Sequence, residues 1–208
     1  VRLAPLTKTN VAFKYKVHID SSSPSALSRH VPLSLKVQWK PVGDDKLGLV
    51  IEYNLSDSWL ANYGGEVTLS GVTILASWSA TETKAISAQT KPAGTFVKDK
   101  CVVFWRLGEV RLTPGHTGKL VARLLGEHGG RPTPGVVEAR FEIRVPEGTA
   151  WGSGLGVSAK VDGKGKEVEA DPFADDDVPA TPGEERWGEV NTLRRIVAGK
   201  YDALTTLG

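Results

Sequence analysis

Five stretches of this chain alternate apolar and polar residues with a period of two. Val11, Phe13, Tyr15, Val17 and Ile19 interleave with Ala12, Lys14, Lys16 and His18. The same alternation returns in Leu33-Leu35-Val37-Trp39, Leu47-Leu49-Ile51-Tyr53, Leu120-Ala122-Leu124 and Val137-Ala139-Phe141-Ile143-Val145. A period of two puts successive side chains on opposite faces of an extended backbone, so each stretch reads as a half-buried strand. Apolar runs at 67–76 and 101–107 bring the set to seven or more strands. Turn chemistry separates them: Ser21 to Pro24, Gly43-Asp44-Asp45, Gly64-Gly65, Pro114-Gly115, and Gly129 to Pro134. With no helical period between the runs, the expected fold is all-β, an antiparallel sandwich rather than an α/β enzyme.

At 208 residues the chain is long enough for one elongated sandwich or two small domains, each with a real core. It starts at Val1 and has no methionine, which reads as a piece cut from a longer polypeptide. No apolar run approaches the roughly 20 residues that a membrane helix needs, and no basic-then-apolar leader is seen, so membrane contact is expected to be peripheral. Cys101 is the one cysteine; in its apolar run it reads as a buried thiol and favours a reducing compartment. Asn54-Leu55-Ser56 has the form of a glycosylation sequon, a pattern short enough to recur by chance.

Charge is unevenly spread. Residues 167–185 hold eight acids (Glu167, Glu169, Asp171, Asp175, Asp176, Asp177, Glu184, Glu185) and no Lys or Arg. Setting those eight aside from the 24 acids, against 26 Lys and Arg, leaves +10 on the rest of a chain whose net charge is +2. A basic body with an acidic tether points to an anionic partner, either a membrane surface or an acidic peptide. The glycine-, proline- and acid-rich segment 163–185 reads as a mobile loop. After it, Trp187, Val190, Leu193 or Arg194, and Val197 fall at helical spacing, and the periodicity predicts a helix there.

Nothing in the sequence forms a convincing active site, so no catalytic residue, metal or cofactor is expected. His18, His30, His116 and His128 are far apart, and Cys101 has no histidine or second cysteine at ligand spacing. Gly152-Ser153-Gly154-Leu155-Gly156 lacks the strand-then-helix setting of a phosphate-binding loop, and Asp44-Asp45 fits a turn. The aromatic residues lie mostly on alternating strand faces, which favours core packing over stacking on nucleic acid.

Short islands along the chain carry a further signal: Phe13-Lys14-Tyr15-Lys16-Val17, Pro32-Leu33 to Trp39-Lys40, Ile51-Glu52-Tyr53-Asn54, Trp105-Arg106-Leu107, Gly118 to Arg123, and Arg194-Arg195-Ile196-Val197-Ala198-Gly199-Lys200-Tyr201. Their order and spacing resemble the mu homology domain of the muniscins, endocytic adaptors of the FCH-domain-only type, here in a fungal-type form. More distantly they resemble the medium subunits of clathrin adaptor complexes. The resemblance implies an elongated, two-subdomain antiparallel sandwich. In it, 28–146 would be the inserted subdomain, and 1–27 with 147–208 part of the parent one, whose first strands would lie upstream of Val1. It also implies that the Arg-Arg to Gly-Lys-Tyr stretch ends the domain as a strand, against the helical periodicity.

The medium subunits hold tyrosine-based sorting peptides by strand addition, with a Trp-x-Arg pair forming the tyrosine pocket. The corresponding positions here are Asn191 and Leu193, so that pocket is missing. Arg194, Arg195, Lys200 and Tyr201, with Gly199, match the family's ending and are the candidate binding residues. Asp171-Pro172-Phe173, followed by Asp175-Asp176-Asp177, has the form of the Asp-Pro-Phe signals that hook adaptor appendages: proline fixes a turn, phenylalanine plugs an apolar pocket, acids meet a basic rim. The implied function is a non-enzymatic endocytic adaptor module. It would bind transmembrane cargo tails and early endocytic scaffold proteins, in the cytoplasm at plasma-membrane endocytic sites, beside an anionic membrane and without nucleic acid. The rival readings are a coat-complex medium subunit, which Asn191 and Leu193 disfavour, a secreted carbohydrate-binding or adhesion sandwich with exposed tryptophans, and third a hydrolase, which would need a clustered His, Ser and carboxylate.

Overall fold

The structure is a computed structural model, and it describes residues 31–79, 83–145, 158–160, 187–189, 194–202 and 205–207. The strand expected at 11–19, the histidines His18 and His30, the 163–185 segment and Asn191 with Leu193 lie outside the described residues.

Strand β1 (Leu33–Pro41) and strand β2 (Lys46–Leu55) form a hairpin, register Leu33 to Leu55 through Pro41 to Leu47, closed by a turn in which Gly43 takes φ 73°. Helix α1 (Asp57–Tyr63) then carries the chain across to β3 (Val67–Ser79). Strands β4 (Ala85–Lys91), β5 (Thr95–Val97), β6 (Val102–Leu112), β7 (Thr117–Gly126) and β8 (Thr133–Val145) follow. After them come β9 (Ser158–Lys160), β10 (Trp187–Glu189), β11 (Arg194–Asp202) and β12 (Thr205–Leu207). They assemble into one sheet of order β12-β1-β2-β7-β4, a second of order β11-β8-β3-β6-β5, and a small β10-β9 ribbon. Because β2, β4 and β7 belong to one sheet while β3, β6 and β8 belong to the other, the chain crosses the sandwich repeatedly. Apart from β1–β2 and β5–β6, the pairings within the two large sheets are therefore non-local.

The alternation in the sequence becomes the inside and outside of this sandwich. Leu33, Val37, Trp39, Leu47, Leu49 and Ile51 from one sheet and Leu69, Ile74, Trp105, Ala139 and Ile143 from the other form one buried cluster. Burying that apolar surface is the main drive to fold, at roughly 25 cal/mol per Å2. Trp39 and Trp105 are 0% and 1% exposed, as core anchors should be. At the edge of the cluster the Tyr53 ring lies directly over its cross-strand partner Gly118, where a Cβ would collide with it.

The structure corrects several expectations. A helix interrupts the strands: Ser56 N-caps α1, Gly64 ends it at φ 66° with its N–H donating to the Leu60 carbonyl at 3.0 Å, and Trp59 and Tyr63, one turn apart, pack onto the core. Seven residues are too few for the periodicity to register. The sheets are not wholly antiparallel, since β12 runs parallel to β1, pairing Val37 with Thr205. Thr133 and Pro134, expected in a turn, begin β8, where a proline is tolerated. Cys101 is only half-buried; it sits at φ 51° after the Lys98–Lys100 turn, packed on the side of the core rather than inside a strand. In the C-terminal segment the helical spacing loses to sheet pairing, and β11 hydrogen-bonds to β8. Strands β11 and β12 thus join two long strands of the 28–146 segment, β8 and β1.

Candidate functional site

The four residues picked from the sequence, Arg194, Arg195, Lys200 and Tyr201, come together on β11, the outermost strand of its sheet among the described residues. Pairing runs Arg194 to Val145, Ile196 to Ile143 and Ala198 to Phe141, then slips before Tyr201 meets Ala139. Gly199 and Lys200 together oppose the single residue Arg140, which is a bulge. The Gly-Lys step of the ending therefore sits at the register shift between β11 and β8.

On the outward face Arg195 lies across from Arg144, a like-charge pairing, and turns diagonally to Glu142, with Nη1 to carboxylate oxygen at 3.3 Å. Ile196 and Val197 are 38% and 60% exposed, one on each face of the strand. Neither was among the candidate binding residues read from the sequence, although two consecutive β-branched residues in a strand put apolar surface on both of its faces. An edge strand turns main-chain donors and acceptors outward, and among the described residues no strand pairs with the outer side of β11.

Other parts of the molecule offer less. Asp171-Pro172-Phe173 lies outside the described residues. His128 has a side chain 91% exposed, and His116 sits in the turn before β7, its N–H donating to the Thr113 carbonyl at 3.2 Å. Among the described residues no three His, Cys, Asp or Glu side chains lie close enough to share a metal ion. A surface depression of about 450 Å3 is lined by Asp44, Arg131, Pro132, Thr133 and Pro134. Trp39, Trp59, Trp78 and Trp105 are all buried, so none of them serves as the exposed platform that the carbohydrate-binding reading requires. No helix among the described residues is long and apolar enough to cross a membrane.

Comparison with known proteins places this architecture. Among curated proteins no match is found. One similar solved structure is the Fcho1 mu homology domain of Danio rerio with bound Eps15 peptide, 18% identical, with a TM-score of 0.42; the match covers 57% of this chain and 40% of that one. Another is the CBM3a-L domain of a cellulosome scaffoldin from Clostridium thermocellum, 11% identical, TM-score 0.32, covering 52% of this chain and 84% of that one. The family model of the muniscin C-terminal mu homology domain matches residues 2–204, nearly the whole sequence. On that match, and with an all-β sandwich as its fold, the chain belongs to the muniscin C-terminal mu homology domain family.

Proposed function

We propose that this chain is an endocytic adaptor module that binds short peptides of early endocytic scaffold proteins and cytosolic tails of membrane cargo, with β11 as the receiving edge. The observation that carries the reading is the family match over 2–204, the muniscins being endocytic adaptors. The exposed Ile196–Val197 pair on the outermost described strand supplies a place for a peptide to add as a further strand. Main-chain pairing then gives affinity, and alternate peptide side chains rest on Ile196 on one face and Val197 on the other. Arg195, already tied to Glu142, supplies charge at the entrance of this edge. In this reading the domain performs no catalysis, and Asp171-Pro172-Phe173 serves as a separate docking signal for an adaptor appendage.

Fluorescence anisotropy with labelled peptides from an Eps15-type scaffold and from cargo tails tests this. Binding on the order of micromolar, weakened about tenfold by Val197→Asp, is expected, because a carboxylate in an apolar contact loses about 1–2 kcal/mol or more. Absence of binding by the parent chain, or indifference to Val197→Asp and Ile196→Asp together, would remove β11 from the mechanism.

A further inference from the structure

The outward face of the sheet β12-β1-β2-β7-β4 carries a charge pattern that is invisible until the strands are paired. Period two sends Lys36 and Lys40 of β1, Lys119 and Arg123 of β7, and Lys91 of β4 to the side opposite the core, and all five are exposed. Register sets Lys36 and Lys119 on either side of Glu52, Lys40 and Arg123 on either side of Gly48, and Lys91 beside Val121. Gln38, Val50 and Gln89 separate them. Glu52 is the one acid among the outward positions of these described strands, and it pairs Lys119 at 3.5 Å. Lys36, Lys40, Lys91 and Arg123 make no ion pair among the described residues. The acids Asp44 and Asp45 sit at one end of the sheet, in the β1–β2 turn, where Asp45 pairs Lys46 at 3.6 Å.

The outward face of the other sheet is different. There Arg195 pairs with Glu142, Arg140 with Glu138 at 4.0 Å, and Arg111 with Glu66 at 2.6 Å. Three of the cations on that face are matched by neighbouring carboxylates, so among the described residues the unpaired cations lie more densely on the first sheet. Arg194, Arg195 and Lys200, candidate binding residues read from the sequence, lie on a strand of that second sheet.

We propose that the outward face of β1, β2, β7 and β4 docks flat on an anionic lipid surface. Four neighbouring strands at about 4.8 Å spacing, and four residues of rise between Lys36 and Lys40, spread the five cations over a patch about 14 Å on each side. A planar, fluid array of negative headgroups fits cations dispersed in two dimensions over short, mostly uncharged side chains. An acidic peptide would follow one line of cations, whereas these five are dispersed over three strands with β2 between two of them. The attraction is long-range only to about a Debye length, so it is steep in salt. It is independent of peptide binding at β11, which lies on the other sheet.

Sedimentation of the whole chain with phosphatidylcholine vesicles, with and without phosphatidylserine at about one lipid in three, is the test. The parent should sediment with the anionic vesicles alone and release as salt rises through about 0.15 M. Lys36→Gln, Lys91→Gln and Arg123→Gln together should lower the partition constant about a hundredfold, at about fivefold per cation. Arg106→Gln, Arg140→Gln and Arg144→Gln together remove the same charge from the other face and should change it by less than about threefold. Thermal unfolding checks both variants; if the first is unfolded, Lys40→Gln with Arg123→Gln replaces it, with a loss of about twentyfold. Failure of the parent to sediment, equal losses in the two sets, or capture of a polyglutamate peptide without vesicle binding would each overturn the proposal.

Discussion

Trp39 and Trp105 show how one residue type can occupy two different positions in the same core. Both are buried to 1% exposure or less, but the Trp105 indole N–H donates to the Pro92 carbonyl at 3.1 Å while Trp39 Nε1 has no acceptor. Gly94 makes the Trp105 arrangement possible, because a Cβ there would stand 2.8 Å from the indole nitrogen. Replacing either tryptophan with alanine should cost about 3–5 kcal/mol through lost contacts and an unfilled cavity. Phenylalanine separates them. Trp39→Phe loses ring area and no hydrogen bond, whereas Trp105→Phe also strands a carbonyl, an added cost of about 1 kcal/mol. Urea unfolding followed by circular dichroism would measure this, and equal costs for the two phenylalanine variants would contradict the assigned roles.

Strands were legible wherever one face is core and the other water, because that contrast writes a period of two directly into the residues. Leu33 to Trp39 and Val137 to Val145 are examples in which every predicted inward position is buried. Legibility failed where the deciding contact is distant in sequence. Helix α1 is too short to show a period, and β11 reads locally as a helix but takes its conformation from hydrogen bonds to β8. The candidate site fared similarly: Arg195 was visible as part of a motif, while the exposure of Val197 depends on which strand neighbours it. At this scale Arg195→Gln is a useful probe. Its ion pair with Glu142 is about half-exposed on both sides, 46% and 41%, so solvent screens most of the attraction. Removing it should change unfolding stability by less than about 1 kcal/mol. A larger loss would mean that the pair fixes the β11–β8 register rather than decorating it.

Across the whole molecule, the two proposed tasks fall on different described surfaces: peptide binding at the β11 edge of one sheet, and lipid docking on the basic outward face of the other. The remaining feature is the acid-rich stretch with its Asp171-Pro172-Phe173, which supplies eight of the 24 acids and masks a +10 body behind a net charge of +2. If Asp171-Pro172-Phe173 docks as proposed, a tripeptide with one aromatic would bury little area, so each engagement should be weak, on the order of micromolar or weaker, and gain strength through repetition at a crowded site. Its flanking acids would meet a basic rim and add salt dependence without adding much burial. Calorimetry of a peptide spanning 167–178 against a clathrin-adaptor appendage should therefore give measurable heat that Phe173→Ala abolishes, because the plug carries the apolar contact. Replacing Asp175, Asp176 and Asp177 with asparagine should weaken binding only modestly and flatten its salt response. Identical heats for the parent and Phe173→Ala peptides would show that charge alone drives the contact, and the motif would then have no docking role.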